Sequence, residues 1–159
     1  MYLNKINLFL VISICLIFFF LTYYDVKSDE IKIIDGDTIH LNNEKIRFTG
    51  IDTPELKQTC SKNNEIIYCG IQARQLLINK IGKNKVKCVR EGKDQYNRTL
   101  AECFVNNESL SSFLVRSGYA FAYRRYSKKF IKDEEYAKSK NHGMWSMEFD
   151  YPWDWRRKN

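Results

Sequence analysis

The stretch Ile33–Glu55, IIDGDTIHLNNEKIRFTGIDTPE, places four carboxyl groups (Asp35, Asp37, Asp52 and Glu55) and the guanidinium of Arg47 on short segments patterned like strands. Ile31 and Ile33 alternate with polar neighbours before Gly36, and Ile39 and Leu41 do so after it, which predicts a strand, a bend and a second strand. Asn42-Asn43-Glu44 reads as a turn, and Lys45–Ile51 as a third strand with Ile46, Phe48 and Ile51 apolar. Pro54 cannot donate to a central ladder, so Asp52–Glu55 is expected as a loop at a strand end. Taken singly, aspartates beside a glycine shape turns, and Asp-Thr before proline ends a strand. Taken together, with an arginine-bearing strand between them, they point to a metal-dependent phosphodiesterase site.

Outward from this stretch, Leu56–Tyr68 is polar and irregular and reads as a surface loop. Gly70–Ile81 carries Ala73, Leu76, Leu77 and Ile81 on one helical face, and Gly82 stops it. Asn84–Glu91 and Thr99–Val105 read as two strands around the turn Gly92–Arg98. Asn107 is expected to cap a helix with Leu110, Phe113 and Leu114 inward, and Ser127–Asn141 to form a third helix ended by Gly143. The fold class is therefore α+β, mainly β: a five-stranded OB-fold barrel with three packed helices. The expected domains are residues 1–28 as an N-terminal apolar segment, 29–146 as the barrel domain, and 147–159 as an aromatic and basic extension packed on it. Within that tail, Phe149, Trp153 and Trp155 precede Arg156, Arg157 and Lys158.

The chain has 159 residues and a formal charge of +7, of which residues 1–28 carry +1 (Lys5 and Lys27 against Asp25), so the remainder keeps +6 despite its acidic cluster. A basic background around an acidic pocket suits a polyanion with a cation between them. Residues 8–24 carry no charge and follow Lys5, which fits either a signal peptide, with Val26 and Ser28 as small residues for cleavage, or a membrane anchor. Both place the domain outside the cytoplasm. Cys60, Cys69, Cys88 and Cys103 lie beyond that segment, an even number that in an exported domain reads as two disulfides. Cys88 and Cys103 flank the predicted turn symmetrically, which would leave Cys60 with Cys69. A zinc site lacks any CxxC pair or nearby histidine.

A phosphodiester resists nucleophiles because its oxygens are already negative, so a hydrolase must neutralise the charge that grows as water attacks. Asp37 and Asp52 are suited to a hard cation, and the carbonyl of Thr53 fits a calcium shell, with Asp35 outside it. Arg47 and Arg98 can each grip two phosphate oxygens. Glu55 is placed to orient or deprotonate the attacking water.

Ile34-Asp35-Gly36-Asp37-Thr38, Arg47 followed by Ile51-Asp52-Thr53-Pro54-Glu55, and Asp94-Gln95-Tyr96-Asn97-Arg98 together resemble the thermonuclease, or staphylococcal-nuclease-like, family. The likeness runs in order over about residues 30–146 and includes Leu114–Gly118 and Gly143-Met144-Trp145-Ser146. It implies an OB-fold barrel and calcium-dependent cleavage of DNA and RNA, in which water attacks phosphorus, the 5′-oxygen leaves and a 3′-phosphate remains. It also implies Asp37, Asp52 and Thr53 as metal ligands and Arg47, Glu55 and Arg98 as catalytic residues. Gln95 and Asn97 replace a lysine and a glycine of the family's pattern, and asparagine still tolerates a left-handed turn. Tyr96 and Tyr126, with Tyr123 as substitute, are the expected base-stacking aromatics. The cysteines and the sequence Pro152–Arg157 resemble extended, exported bacterial members. A monomer is expected. The rival reading is a catalytically inactive OB-fold nucleic-acid-binding module at the cell envelope, which would have no use for these acids.

Overall fold

The computed structural model describes residues 30–159. The apolar run 8–24 and the expected segment 1–28 lie outside those residues; among the described residues, no helix is long and apolar enough to cross a membrane. Strands β1 (Ile31–Ile33), β2 (Thr38–Leu41) and β3 (Glu44–Phe48) form the antiparallel meander that the alternation predicts. Asn42 and Asn43 turn the chain between β2 and β3 with φ of 50° and 67°, backbone that asparagine adopts more readily than most residues.

Two tiny ladders lie apart from the main sheet: β4 (Ile51–Asp52) pairs with β10 (Phe121–Ala122), and β5 (Cys60–Lys62) makes a hairpin with β6 (Glu65–Ile67). Within the main sheet, β3 lies parallel to β8 (Thr99–Val105), and β7 (Lys87–Lys93) pairs with β8 on its other side. The path β1-β2-β3-β8-β7, with β9 (Glu108–Ser109) added to β8, is open rather than a closed ring. The mainly-β α+β class is thus observed, while the strand pairings of the described residues do not close a five-stranded barrel.

There are four α-helices among the described residues where three were expected: α1 (Cys69–Ile81), α2 (Leu110–Arg116), α3 (Ile131–Ser139) and α4 (Pro152–Lys158), with a 3-10 turn at Gly143–Ser146. The cap of α2 is Ser109, whose hydroxyl accepts from the Ser112 amide at 3.3 Å. Asn107, expected in that role, has φ 64° and belongs to the turn between β8 and β9. α4 starts with Pro152, whose missing amide costs nothing in a first helical turn.

Ile39, Ile46, Phe48 and Ile51 from the strands meet Leu77 and Ile81 of α1 and Leu110 and Leu114 of α2 in one buried core. A second cluster is centred on Phe121, around which Trp145, Phe149, Tyr151 and Trp153 gather at ring-centroid distances of 5.4, 5.2, 5.0 and 6.1 Å. Three of these contacts are edge-to-face, packing that adds to the gain from burial alone. It fixes the C-terminal arm against the strand that pairs with β4.

Two disulfides join the cysteines as the symmetric hairpin suggests: Cys88 with Cys103, directly opposed in the β7–β8 register, and Cys60 with Cys69, from β5 to the start of α1. The 15-residue separation of the first restricts the unfolded chain most. Reduction of the folded protein is expected to lower stability by about 2–4 kcal/mol, seen as a melting temperature lower by roughly 5–10 °C. An unchanged melting curve under reductant would contradict the pairing.

Candidate active site

The two segments that carry the acids meet because the bend after β1 presses against the loop after β4. At Gly36 a Cβ would lie 2.9 Å from the Thr53 hydroxyl, so a side chain there would push Thr53 from its place. The Asp35 carboxylate accepts from the Asp37 amide at 3.0 Å and shapes the bend. That turns Asp37 inward, where its Oδ2 accepts from the Thr53 amide at 3.0 Å and its Oδ1 from the Thr38 hydroxyl at 3.2 Å. Asp37 and Asp52 are 2% and 0% exposed. Acids almost never reach such burial without a partner.

Their partner is Arg47, which projects from β3 between them: Nη1 pairs with Asp37 Oδ1, and Nη2 with Asp52 Oδ1 at 2.9 Å. One guanidinium therefore holds together carboxylates from two separate loops. Burial pushes the Asp37 carboxyl up to about 7; Arg47 opposes the shift, while Asp35 and Asp52 add to it. Burial likewise works against the charge on Arg47, yet Asp37 and Asp52 more than offset it and hold the guanidinium protonated.

Glu55 follows on the same loop and is seated by two contacts that the sequence gives little reason to expect. A Cβ on Gly70 would fall 1.8 Å from the Glu55 carbonyl oxygen, so the first turn of α1 packs directly on the loop backbone. Gln58, fully buried, accepts from the Glu55 amide at 3.2 Å and donates to the Asp150 carbonyl at 2.7 Å. The loop is thus tied to the C-terminal arm. From that arm comes the second unforeseen residue. Arg156 of α4 places Nη2 2.6 Å from Asp52 Oδ2, and Nη1 2.7 Å from Glu55 Oε1 and 3.3 Å from Asp52 Oδ1. The sequence marks Arg156 only as one of three successive basic residues.

Arg98 ends the turn after β7. Asp94 Oδ1 accepts from the amides of Tyr96 and Arg98, both at 2.9 Å, and Oδ2 accepts from Arg98 Nε at 2.7 Å. Although burial opposes it, these bonds hold the Asp94 carboxyl below its usual range. Asn97 takes φ 60°, so asparagine serves where the family pattern has glycine. The side chain of Arg98 meets Asp94 along its Nε edge and the Tyr96 ring at 5.5 Å.

The expected aromatics are not alike. Tyr96 and Tyr126 are exposed. Tyr123 stacks on Trp153 with planes 4° apart and meets Tyr126 edge-on at 4.9 Å. Arg124, Arg125, Lys128 and Lys129 make a basic patch beside them, in which Arg124 pairs with Glu134 and Lys129 with Glu102. Two of its cations are therefore already neutralised.

The family model described as "Staphylococcal nuclease homologue" matches residues 45–147. The chain belongs to that family. An uncharacterised endonuclease of Haemophilus influenzae is 30% identical over 136 residues, covering 80% of this chain and 71% of the relative. A micrococcal nuclease of Shigella flexneri is 28% identical over 151 residues, covering 84% and 82%. A probable staphylococcal-like nuclease of Oryza sativa is 33% identical over 131 residues, or 79% of this chain. The chain spans only about a third of that longer relative's length.

Because two buried carboxylates depend on Arg47, Arg47→Ala is expected to cost about 3–5 kcal/mol of stability, the range for stripping one partner from a buried ion pair. Urea unfolding in chelator measures this, and Arg47→Lys, which keeps the charge without the fork, falls between. A loss below about 1 kcal/mol, the value of an exposed pair, would contradict the bridging role.

Proposed function

We propose that the protein is an exported, calcium-dependent, sugar-nonspecific nuclease on an OB-type fold, hydrolysing phosphodiester bonds of DNA and RNA. The observation that carries this reading is the buried Asp37–Arg47–Asp52 bridge with Glu55 on the adjoining loop. Asp35, Asp37, Asp52 and Glu55 against Arg47 and Arg156 leave two formal negative charges uncompensated. With hard oxygen donors, that deficit of formal charge fits one divalent cation, which would favour the ionised Asp37 carboxylate against the burial that works towards its neutral form. Asp37, Asp52 and the Thr53 carbonyl would hold calcium, which when bound would offset negative charge on the phosphate oxygens.

The chain's own groups do the rest. Glu55 takes a proton from the attacking water as the new bond to phosphorus forms. The bond to the 5′-oxygen breaks, that oxygen takes a proton from solvent and Glu55 returns its own to solvent, giving a 3′-phosphate and a 5′-hydroxyl. Arg47 and Arg98, through the N–H groups that Asp37, Asp52 and Asp94 leave open, would stabilise the charge that grows on the phosphate oxygens. Tyr96 and Tyr126, whose rings are exposed, offer faces on which bases stack without base-edge readout; Tyr123 supports Tyr126 from the side. Export fits the two disulfides, and a signal peptide or membrane anchor at residues 1–28, with its apolar run 8–24, would provide it. We take residues 29–146 as the nuclease domain of a monomer.

The protein is expected to cleave both DNA and RNA with calcium and to stop when a chelator is added. Glu55→Gln and Arg98→Ala should each lower kcat by about a hundredfold or more. Retained DNA binding without cleavage at saturating calcium would instead support an inactive OB-fold binding module.

A further inference from the structure

The nuclease reading, on which this inference rests, requires Asp52 to give an oxygen to the metal and Glu55 to be free for water, yet both carboxylates carry a guanidinium from the far end of the chain. Arg156 engages both oxygens of Asp52, Oδ2 at 2.6 Å and Oδ1 at 3.3 Å, and one oxygen of Glu55 at 2.7 Å. Asp52 Oδ1 is shared with Arg47, so Oδ2 is the oxygen held by Arg156 alone. Asp52 itself is fully buried, whereas the Arg156 side chain is 38% exposed and has solvent to turn into.

We propose that Arg156 is the resident counter-cation of this site, which calcium must displace from Asp52, so that the C-terminal helix sets the metal concentration at which the site becomes competent.

The helix that carries Arg156 is firmly seated, which makes the movement one of a side chain and not of the arm. Trp153 lies between Tyr151 and Tyr123, stacked on each with centroids 4.7 and 6.0 Å apart, and Pro152 is buried. Lys158 pairs with Asp150, whose carbonyl is bound by Gln58. Those contacts keep the Arg156 backbone beside the site whether or not its guanidinium is on the acids. A long, flexible side chain from a fixed helix can leave Asp52 and Glu55 without unfolding anything else. Because a guanidinium and a divalent ion drawn to the same carboxylate oxygen repel each other, each weakens the other's hold, and the coupling is reciprocal.

The test is calcium binding to the full-length chain purified in detergent, measured by titration calorimetry in the absence of nucleic acid. Calcium binding by the unaltered protein tests the nuclease reading, and the difference between proteins tests this inference. Arg156→Ala is expected to bind calcium about tenfold more tightly, within the usual span of coupled sites. Arg156→Lys, which keeps a charge without the fork, should lie between. Arg157→Ala, which removes an equal charge from the next residue, paired with Asp154, should change affinity by less than about twofold. If Arg156→Ala does not fold, Arg156→Lys alone carries the comparison. Equal or weaker calcium binding in the Arg156 variants would overturn the proposal, because a merely structural arginine would weaken the site when lost. Equal tightening by Arg157→Ala would overturn it too, by reducing the effect to net charge.

Discussion

The fold is arranged around the cost of keeping Asp37 and Asp52 away from water. Neither carboxylate is exposed, and one arginine stands between them. Isolated charges in such surroundings would shift towards neutrality or open the site, and the upward push on Asp37 records that tension. The surrounding structure holds the arrangement from three sides. Gly36 lets the first bend touch Thr53, Thr38 and Thr53 donate to Asp37, and the β4–β10 ladder anchors Asp52 opposite Phe121. A stable fold would gain as much from apolar residues at these positions. Their presence as paired acids is what points to chemistry.

Much of this was legible in the sequence because the signals are local. The alternation of Ile31, Ile33, Ile39, Leu41, Ile46 and Phe48 specifies the meander, and all except Ile31 and Ile33 are buried in the core. The helical face of Ala73, Leu77 and Ile81 predicts α1 to within one residue at its start. The hairpin of β7 and β8 puts Cys88 opposite Cys103 as expected. What was not legible rests on ladders too short to show a period or on partners far along the chain. The β4–β10 and β5–β6 ladders are two or three residues long, too short for any period to emerge, and β4 finds its partner some 70 residues away. α3 is shorter than its polar flanks suggest, and Asn107 lost its capping role to Ser109 because the β8–β9 turn needed a left-handed residue there.

The candidate site divides in the same way. Asp35, Asp37, Arg47, Asp52 and Glu55 lie within one short stretch and were found by their type and spacing. Gln58 and Arg156 were missed because their roles depend on partners 92 and 104 residues away in the chain. From sequence, the basic end of the tail is expected only as an extension packed by its aromatics. Those aromatics do gather on Phe121, but their consequence is that α4 is held with Arg156 beside Asp52 and Glu55. Packing in the second core and charge balance in the site are therefore linked through one short helix.

The central claim is that the Asp37–Asp52 pair, bridged by Arg47, is a cation site. Anomalous X-ray diffraction from crystals grown with calcium tests it most directly. The account predicts a single ion about 2.3–2.6 Å from oxygens of Asp37, Asp52 and the Thr53 carbonyl, the range for calcium bound by oxygen. Diffraction showing no ion there at saturating calcium, with the two carboxylates still joined only through Arg47, would contradict it.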